Sequence, residues 1–353
     1  MEGHQRGGVV EVGGNARERY YDSSGYGRPD GDGVVLSVVE AAHLLYRGDL
    51  AAVDGRGFEA FLAANAGAVV PFLVYRDLRD RGFYVSPARE GWVDDPGGAD
   101  FLVHPRGDGP WDGTVEYRVR VVDERAEVEL AGLGDVALAV VDEESEITYL
   151  ETGRPDVSGR SGCSVDGTAR GVLLGDRVLC WDPPAALYES GFYGQRMGRE
   201  NETLQLSLLE AAYLAETGDL AVEEGGEERR SSDPPRGRGV GGDADLVCER
   251  GRELEGDRFD RRLAVYRRLR RSSVVPKTGF KFGADFRTYA DVEHVDELGH
   301  SELLVRVLPA DAMRSPRDLA LDVRLAHGVR KRMVFALVEG ETVGWVSVGR
   351  LTP

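Results

Sequence analysis

Residues 37–50, SVVEAAHLLYRGDL, come back at 207–220 as SLLEAAYLAETGDL. In both stretches the apolar side chains fall at helical spacing. A serine stands where an N-cap belongs and Gly-Asp closes the segment, so each reads as one amphipathic helix. The correspondence continues on either side. YDSSGYG at 21–27 matches YESGFYG at 188–194, and VYRDLRD at 74–80 matches VYRRLRR at 265–271. ADFLVHP at 99–105 matches ADFRTYA at 284–290, and VEYRVRV at 115–121 matches SELLVRV at 301–307. The chain is therefore a tandem duplication with a period of about 170 residues, too long for a solenoid, so each copy is a domain pair in its own right.

The fold class this predicts is α/β (in the α+β sense). Each copy has a small N-terminal α/β module followed by a C-terminal domain with a mixed sheet. The expected modules are 1–81 and 171–273, and the expected sheet domains are 82–152 and 274–353. A Gly- and Ser-rich linker at 153–170 joins the copies, and 223–245 reads as a mobile surface insertion in the second copy. In the last domain, Ser315-Pro316 is expected to start a helix, with Ser315 as N-cap and Asp318 in the first turn. Leu319, Val323, Leu325 and Ala326 would face inward.

Charge bears on partners. With 62 Asp+Glu against 44 Lys+Arg the net charge is −18, which taken alone argues against nucleic acid. Abundant acid with almost no lysine is also what a cytoplasm of molar salt selects, where the Debye length is only about 3 Å. Long-range repulsion of RNA is then screened and contact-range groups decide. Cys163, Cys180 and Cys248 match no zinc spacing and no disulfide framework. The start MEGHQRGGVVEV is no signal peptide, and no apolar run reaches membrane-spanning length. The expectation is a cytoplasmic protein with no membrane contact.

A duplication allows one copy to be read against the other. The only lysines, Lys277, Lys281 and Lys331, all lie in the last eighty or so residues of the second copy. Tyr289 aligns with His104, His300 with about Thr114, Lys331 with Gly134 or Asp135, and Arg324 with about Glu129. The apolar skeleton survives in both copies, whereas Tyr, His, Lys and Arg stand only in the second. That is the pattern of an active copy beside a scaffold copy. A tyrosine, a histidine and a lysine in one pocket suit phosphodiester cleavage without metal. Attack of a ribose 2′-hydroxyl on its own phosphate needs a base, an acid for the departing 5′-oxygen and a cation at the phosphorane. His300 suits the acid because imidazole titrates near neutrality. Lys331 suits the cation. Tyr289 as base would need cations nearby, because a free tyrosine loses its proton only near pH ~10.

With KTGFKFGADF, a Tyr shortly before a His that opens a strand, and RLAHGVRK carrying its Lys, the second copy resembles the catalytic subunit of the archaeal tRNA-splicing endonucleases. The whole chain resembles their form in which an inactive and an active repeat are fused and two such chains pair as a homodimer. The resemblance implies Tyr289 as general base, His300 as general acid and Lys331 as transition-state stabiliser, with no metal and no cofactor. It implies that Arg324, and less directly Arg350, clamp a bulged base between guanidinium planes, which stacking physics allows. The implied substrate is precursor tRNA with a bulge–helix–bulge, cut to 2′,3′-cyclic phosphate and 5′-hydroxyl ends. No DNA is expected as a partner. The resemblance also implies docking of acidic loops into basic clefts, for which VDEESE at 141–146 and the helix RRLAVYRRLRR at 261–271 are the candidates.

Two other readings compete. Asp291, Glu293, His294, Asp296, Glu297 and His300 cluster in sequence, and Asp285 with Glu302 could mimic the carboxylate pair of a metal-dependent nuclease. Leu304 stands where such enzymes usually carry a lysine. The third reading is a non-catalytic RNA-binding scaffold, against which the presence of all three groups in the second copy speaks.

Overall fold

The computed structural model describes residues 1–198, 203–225 and 240–353, with Val240 described by its backbone only. Of the insertion expected at 223–245, residues 226–239 lie outside the described residues. The chain divides into two units. Met1–Gly153 with Met313–Leu321 and Val348–Pro353 forms the first, and Arg154–Ala312 with Asp322–Ser347 forms the second.

The first unit opens with a five-stranded sheet in the order Arg28–Asp30, Gly33–Ser37, Val9–Val12, Glu2–Arg6, Ala52–Val53. The second opens with Gln195–Arg196, Leu204–Ser207, Arg177–Cys180, Ala169–Leu174, Leu220–Glu224, the same order and topology. The repeated helices are Val38–Arg47 and Leu208–Thr217. Both start with a complete capping box, Ser37 with Glu40 and Ser207 with Glu210, and both end on a left-handed glycine, Gly48 and Gly218. Each capping glutamate is buried and reaches one step further, accepting from Gly27 N at 2.7 Å in the first unit and from Gly194 N at 2.9 Å in the second. Those glycines have φ of +71° and +60°, and a Cβ there would lie 2.4 Å from Val35 O and 2.3 Å from Gln205 O. No other residue fits.

The two glutamates then part company. Burial raises the Glu40 carboxyl above its ordinary range, against the lowering pull of its bonds to Ser37 and Gly27. Burial works against Glu210 as well, but the Lys277 ammonium and the hydrogen bonds from Ser207 and Gly194 overcome it and carry the group down to about 2. Lys277 Nζ donates to Glu210 Oε1 at 2.9 Å, to Gly194 O at 3.0 Å and to Phe192 O at 3.1 Å. This lysine is a half-buried latch between the strand Val275–Thr278 and the module that carries Glu210.

The later strands of the second unit run in the order Val275–Thr278, Phe286–Tyr289, Leu303–Pro309, Arg332–Glu339, Thr342–Arg350. The third and fourth are parallel and the pairs before them antiparallel. A parallel pair needs a crossover, which the helix Pro316–Gly328 provides. Ser315 Oγ accepts from Asp318 N at 3.2 Å, as the sequence predicts for its start. Leu319, Val323 and Ala326 are buried, but Leu325 is 53% exposed, contrary to its expected inward placement. At 100° per residue it falls on the far side of the stripe defined by the other three. Asp322 takes the inward place instead, with its carboxylate 2.9 Å from Arg306 Nη2.

The first unit repeats the strand order with Val85–Pro87, Phe101–Val103, Tyr117–Asp123, Ala137–Val141 and Ile147–Gly153. Between its parallel strands lie only the two-residue strand Val128–Glu129 and the turn Leu130–Gly132. Glu129, the expected counterpart of Arg324, therefore stands on no helix. Within each unit, module and sheet share one core. In the second, Leu206 and Leu209 cluster with Phe286, Val305 and Val334, and in the first, Leu36 and Leu44 cluster with Phe101 and Val119.

Two stretches differ from their sequence reading. Part of the linker is laid against the second unit: Gly159 N donates to Ser272 O at 2.9 Å, Arg160 N to Ala290 O at 2.7 Å and Ser161 N to Ser273 O at 3.0 Å. On the helix Asp257–Arg271, three arginines are internal fasteners. Arg262 holds Glu255 and Asp285, Arg267 holds Glu216 and Glu341, and Arg270 donates to Tyr266 Oη and Gly191 O. On this candidate basic surface Arg268 and Arg271 are exposed, and Arg261, like the three fasteners, is half-buried.

Candidate active site

Three neighbouring strands of the second unit bring Tyr289, His300 and Lys331 to one end of the sheet. Glu302 N donates to Thr288 O at 3.1 Å, and Arg332 N donates to Glu302 O at 3.0 Å. Thr288, Glu302 and Arg332 thus form one hydrogen-bonded row. Tyr289 follows the first of them, Lys331 precedes the last, and His300 lies two residues before the middle one. Lys331 Nζ donates to Ser301 O at 2.6 Å, which ties the amine to the backbone next to His300.

Each group is held differently. Tyr289 ends the strand Phe286–Tyr289, opposite Val275. The residue is 8% exposed, packed with Val275 and Val292 and with its ring edge-on to Phe192 at 5.6 Å. The docked linker fastens the chain just beyond it, since Val292 N donates to Ser161 Oγ at 2.8 Å. His300 is exposed in the approach to the strand Leu303–Pro309. Lys331 is half-buried. It is delivered by a turn in which Arg330 adopts φ +56° and Lys331 N donates back to Ala326 O at 2.9 Å. A non-glycine residue there is strained, and the turn aims the next side chain along the strand end. Its Nζ lies 5.7 Å from the Phe282 ring centroid, in the KTGFKFG loop. Burial and the Arg287 guanidinium lower its pKa below the usual lysine value.

Arg324 is exposed on the crossover helix, and Arg350 is exposed at the end of the last strand, in a segment that groups with the first unit. His294 caps a short turn, accepting from Asp296 N at 3.2 Å. Asp285 does not serve the carboxylate-pair reading. Its carboxylate is buried, bonded to Arg258, 3.3 Å from Arg262 Nε, and accepts from Val307 N at 2.8 Å. Asp100 makes the same backbone contact in the first unit, to Val121 N at 2.7 Å, so this aspartate is a repeated structural device.

In the first unit the same positions are taken up by the fold. His104, the counterpart of Tyr289, is buried, with Nδ1 2.7 Å from Thr114 O and Nε2 3.0 Å from Ser86 Oγ, and burial lowers its pKa. Both ring nitrogens are consumed by the fold. The register pairs Ala137 with Val119 in one unit and Val334 with Val305 in the other. Counting back, Gly134 is the counterpart of Lys331.

One residue escaped the sequence reading. Arg287 stands two before Tyr289 on the same strand, and its guanidinium carbon is 5.6 Å from the tyrosine ring centroid. The signal was available, because ADFRTYA against ADFLVHP sets Leu102 at the same place.

Comparison with known proteins is consistent along the chain. A family model described as the catalytic C-terminal domain of tRNA intron endonuclease matches residues 259–345, which span the site. The N-terminal domain of the same family matches twice, at 1–62 and 169–231, as a duplication requires. The chain is 72% identical over 354 residues to a tRNA-splicing endonuclease of Natronomonas pharaonis and 61% identical over 355 residues to one of Haloarcula marismortui, with 100% of both chains covered in each case. It is 35% identical over 358 residues to a tRNA-splicing endonuclease of Methanococcoides burtonii, covering 95% of each.

Proposed function

This chain belongs to the tRNA-splicing endonuclease family, and on that premise we propose that it cuts precursor tRNA at bulge–helix–bulge sites without a metal ion, leaving 2′,3′-cyclic phosphate and 5′-hydroxyl ends. The observation that carries the reading is the row Thr288–Glu302–Arg332, which supports Tyr289, His300 and Lys331 acting on one phosphate. Tyr289 takes the proton of the ribose 2′-hydroxyl, and the 2′-oxygen attacks the adjacent phosphorus. Lys331 offsets the charge that builds on the non-bridging oxygens of the phosphorane. His300 gives its proton to the 5′-oxygen as the P–O bond breaks. No cofactor takes part. Because the nucleophile is the 2′-hydroxyl, DNA is not a substrate.

Arg324 and Arg350 are proposed to stack on a bulged base. Two chains pair as a homodimer, so that two active sites meet the two bulges of one substrate. The enzyme works in the cytoplasm. Among the described residues no single helix is long and apolar enough to cross a membrane. With a net charge of −18, RNA approaches only where salt screens the acidic surface.

The test is cleavage of an end-labelled bulge–helix–bulge RNA in molar salt with EDTA, with the product ends analysed. The expected result is cyclic phosphate on the 5′ fragment. Cleavage only after Mg²⁺ is added, with 3′-hydroxyl ends, would replace this mechanism with a metal-dependent one.

A further inference from the structure

We propose that Arg287 is a fourth active-site group, a second cation that binds the scissile phosphate beside Lys331. The inference rests on the function proposed above and begins from register. Arg287 pairs with Leu304, and Leu304 pairs with Met333. Side chains alternate along a strand. Arg287 therefore shares a face with Tyr289, and across the sheet with Leu304, Met333 and Lys331, one step inward from the strand ends. Its guanidinium carbon lies 5.6 Å from the Tyr289 ring centroid. Its charge is felt at Lys331, where after burial it is the second cause of that amine's lowered pKa.

Two cations held near each other and partly out of water repel, an arrangement that folding alone does not favour. The neighbouring strand adds a third, because Lys277 stands directly opposite Arg287. Lys277 is neutralised by Glu210 at 2.9 Å. Two other arginines near the sheet are likewise committed, Arg262 to Glu255 and Asp285 and Arg306 to Asp322. Arg287 differs in that no carboxylate pairs with it among the described residues, while its Nε, like that of Arg262, is buried there without a hydrogen-bond partner. A donor left so costs about 1–3 kcal/mol unless something accepts from it. A planar fork of donors is the side chain best matched to a phosphate. The first unit, whose counterparts of Tyr289, His300 and Lys331 are His104, Thr114 and Gly134, has Leu102 at this position.

The test uses the full-length protein and a bulge–helix–bulge RNA at saturating enzyme, under single turnover. Arg287→Gln, Arg287→Lys and wild type are compared. Affinity is measured in parallel on the same RNA carrying a 2′-deoxy nucleotide at the cleavage site. Loss of one pre-oriented electrostatic partner predicts a rate lower by on the order of a hundredfold in Arg287→Gln. Arg287→Lys should recover part of it, and the dissociation constant of the 2′-deoxy RNA should change less than the rate. Thermal unfolding of each variant accompanies the rates. Wild-type cleavage in Arg287→Gln overturns the proposal. So does a rate loss that matches a loss of folding and is not eased by lysine. If wild type itself leaves the RNA uncut, the functional reading fails rather than the placement of Arg287 within it.

Discussion

Replacing Lys277 by Met removes one charge and keeps most of the side-chain volume. In the wild type its ammonium has three acceptors at 2.9–3.1 Å, and the two side chains of the ion pair are 12% and 8% exposed. The substitution leaves the Glu210 carboxylate buried, with only Ser207 and Gly194 as donors. Breaking a buried pair from one side costs about 3–5 kcal/mol. Linkage gives a similar figure. A drop from the unfolded value of 4.5 to about 2 corresponds to roughly 3 kcal/mol at neutral pH. The sign follows from the depressed pKa. The contribution is complete above pH ~4.5 and is lost as pH falls toward ~2. In the variant Glu210 should behave as Glu40 does, with burial raising its pKa, so it protonates above pH 4.5 and the deficit narrows on acidification. Urea unfolding of both proteins in molar KCl, followed by circular dichroism at pH 8 and pH 5, measures this. The expected result is a transition weakened by about 3–5 kcal/mol at pH 8 and by clearly less at pH 5. A variant as stable as wild type at pH 8, or a deficit that ignores pH, would mean that Lys277 does not stabilise the fold by neutralising Glu210.

Gly27→Ala and Gly194→Ala should each cost more than about 1 kcal/mol, since φ is positive and the new methyl meets a carbonyl oxygen at 2.4 or 2.3 Å. Gly48→Ala, at φ +76° in open space, should cost less, and urea titration compares all three. Cleavage should fall on the alkaline side as Lys331 loses its proton, below the pH at which an ordinary lysine would. Because Arg287 is one cause of that lowering, the alkaline limb of the pH–rate profile should move to higher pH in Arg287→Gln. An unmoved limb would separate the two residues.

What was legible in the sequence was whatever the chain encodes locally. The duplicated helices and the N-caps Ser37, Ser207 and Ser315 are written in spacing and in short-range hydrogen bonds. The alignment of the copies singles out Tyr289, His300 and Lys331 as candidates because substitutions at fixed register stand out against a shared apolar skeleton. Contacts that close only through tertiary structure were not legible. Lys277 read as no more than a scarce residue until Glu210, which lies 67 positions away, was seen beside it. The arginines of Asp257–Arg271 read as a basic surface, yet Arg270 is spent on the Tyr193 ring at 3.8 Å, as Arg79 is on Tyr26 at 4.3 Å. Arg287 stands against Leu102 in the alignment of the copies, but its approach to the Tyr289 ring and its charge at Lys331 arise only in the folded sheet. Leu325 was misjudged because two adjacent apolar residues on a helix cannot both face the centre of one stripe.

We propose one catalytic site per chain, in the second copy. Single-turnover cleavage of a bulge–helix–bulge precursor tRNA in EDTA tests it, comparing Tyr289→Phe, His300→Ala and Lys331→Ala with Thr114→Ala, the first-copy counterpart of His300. The first three should each slow cleavage by about 10²–10⁴-fold, the range for loss of an acid, a base or an electrostatic partner, while Thr114→Ala should cut at the wild-type rate. Unimpaired cleavage by His300→Ala, or a comparable loss in Thr114→Ala, would contradict it.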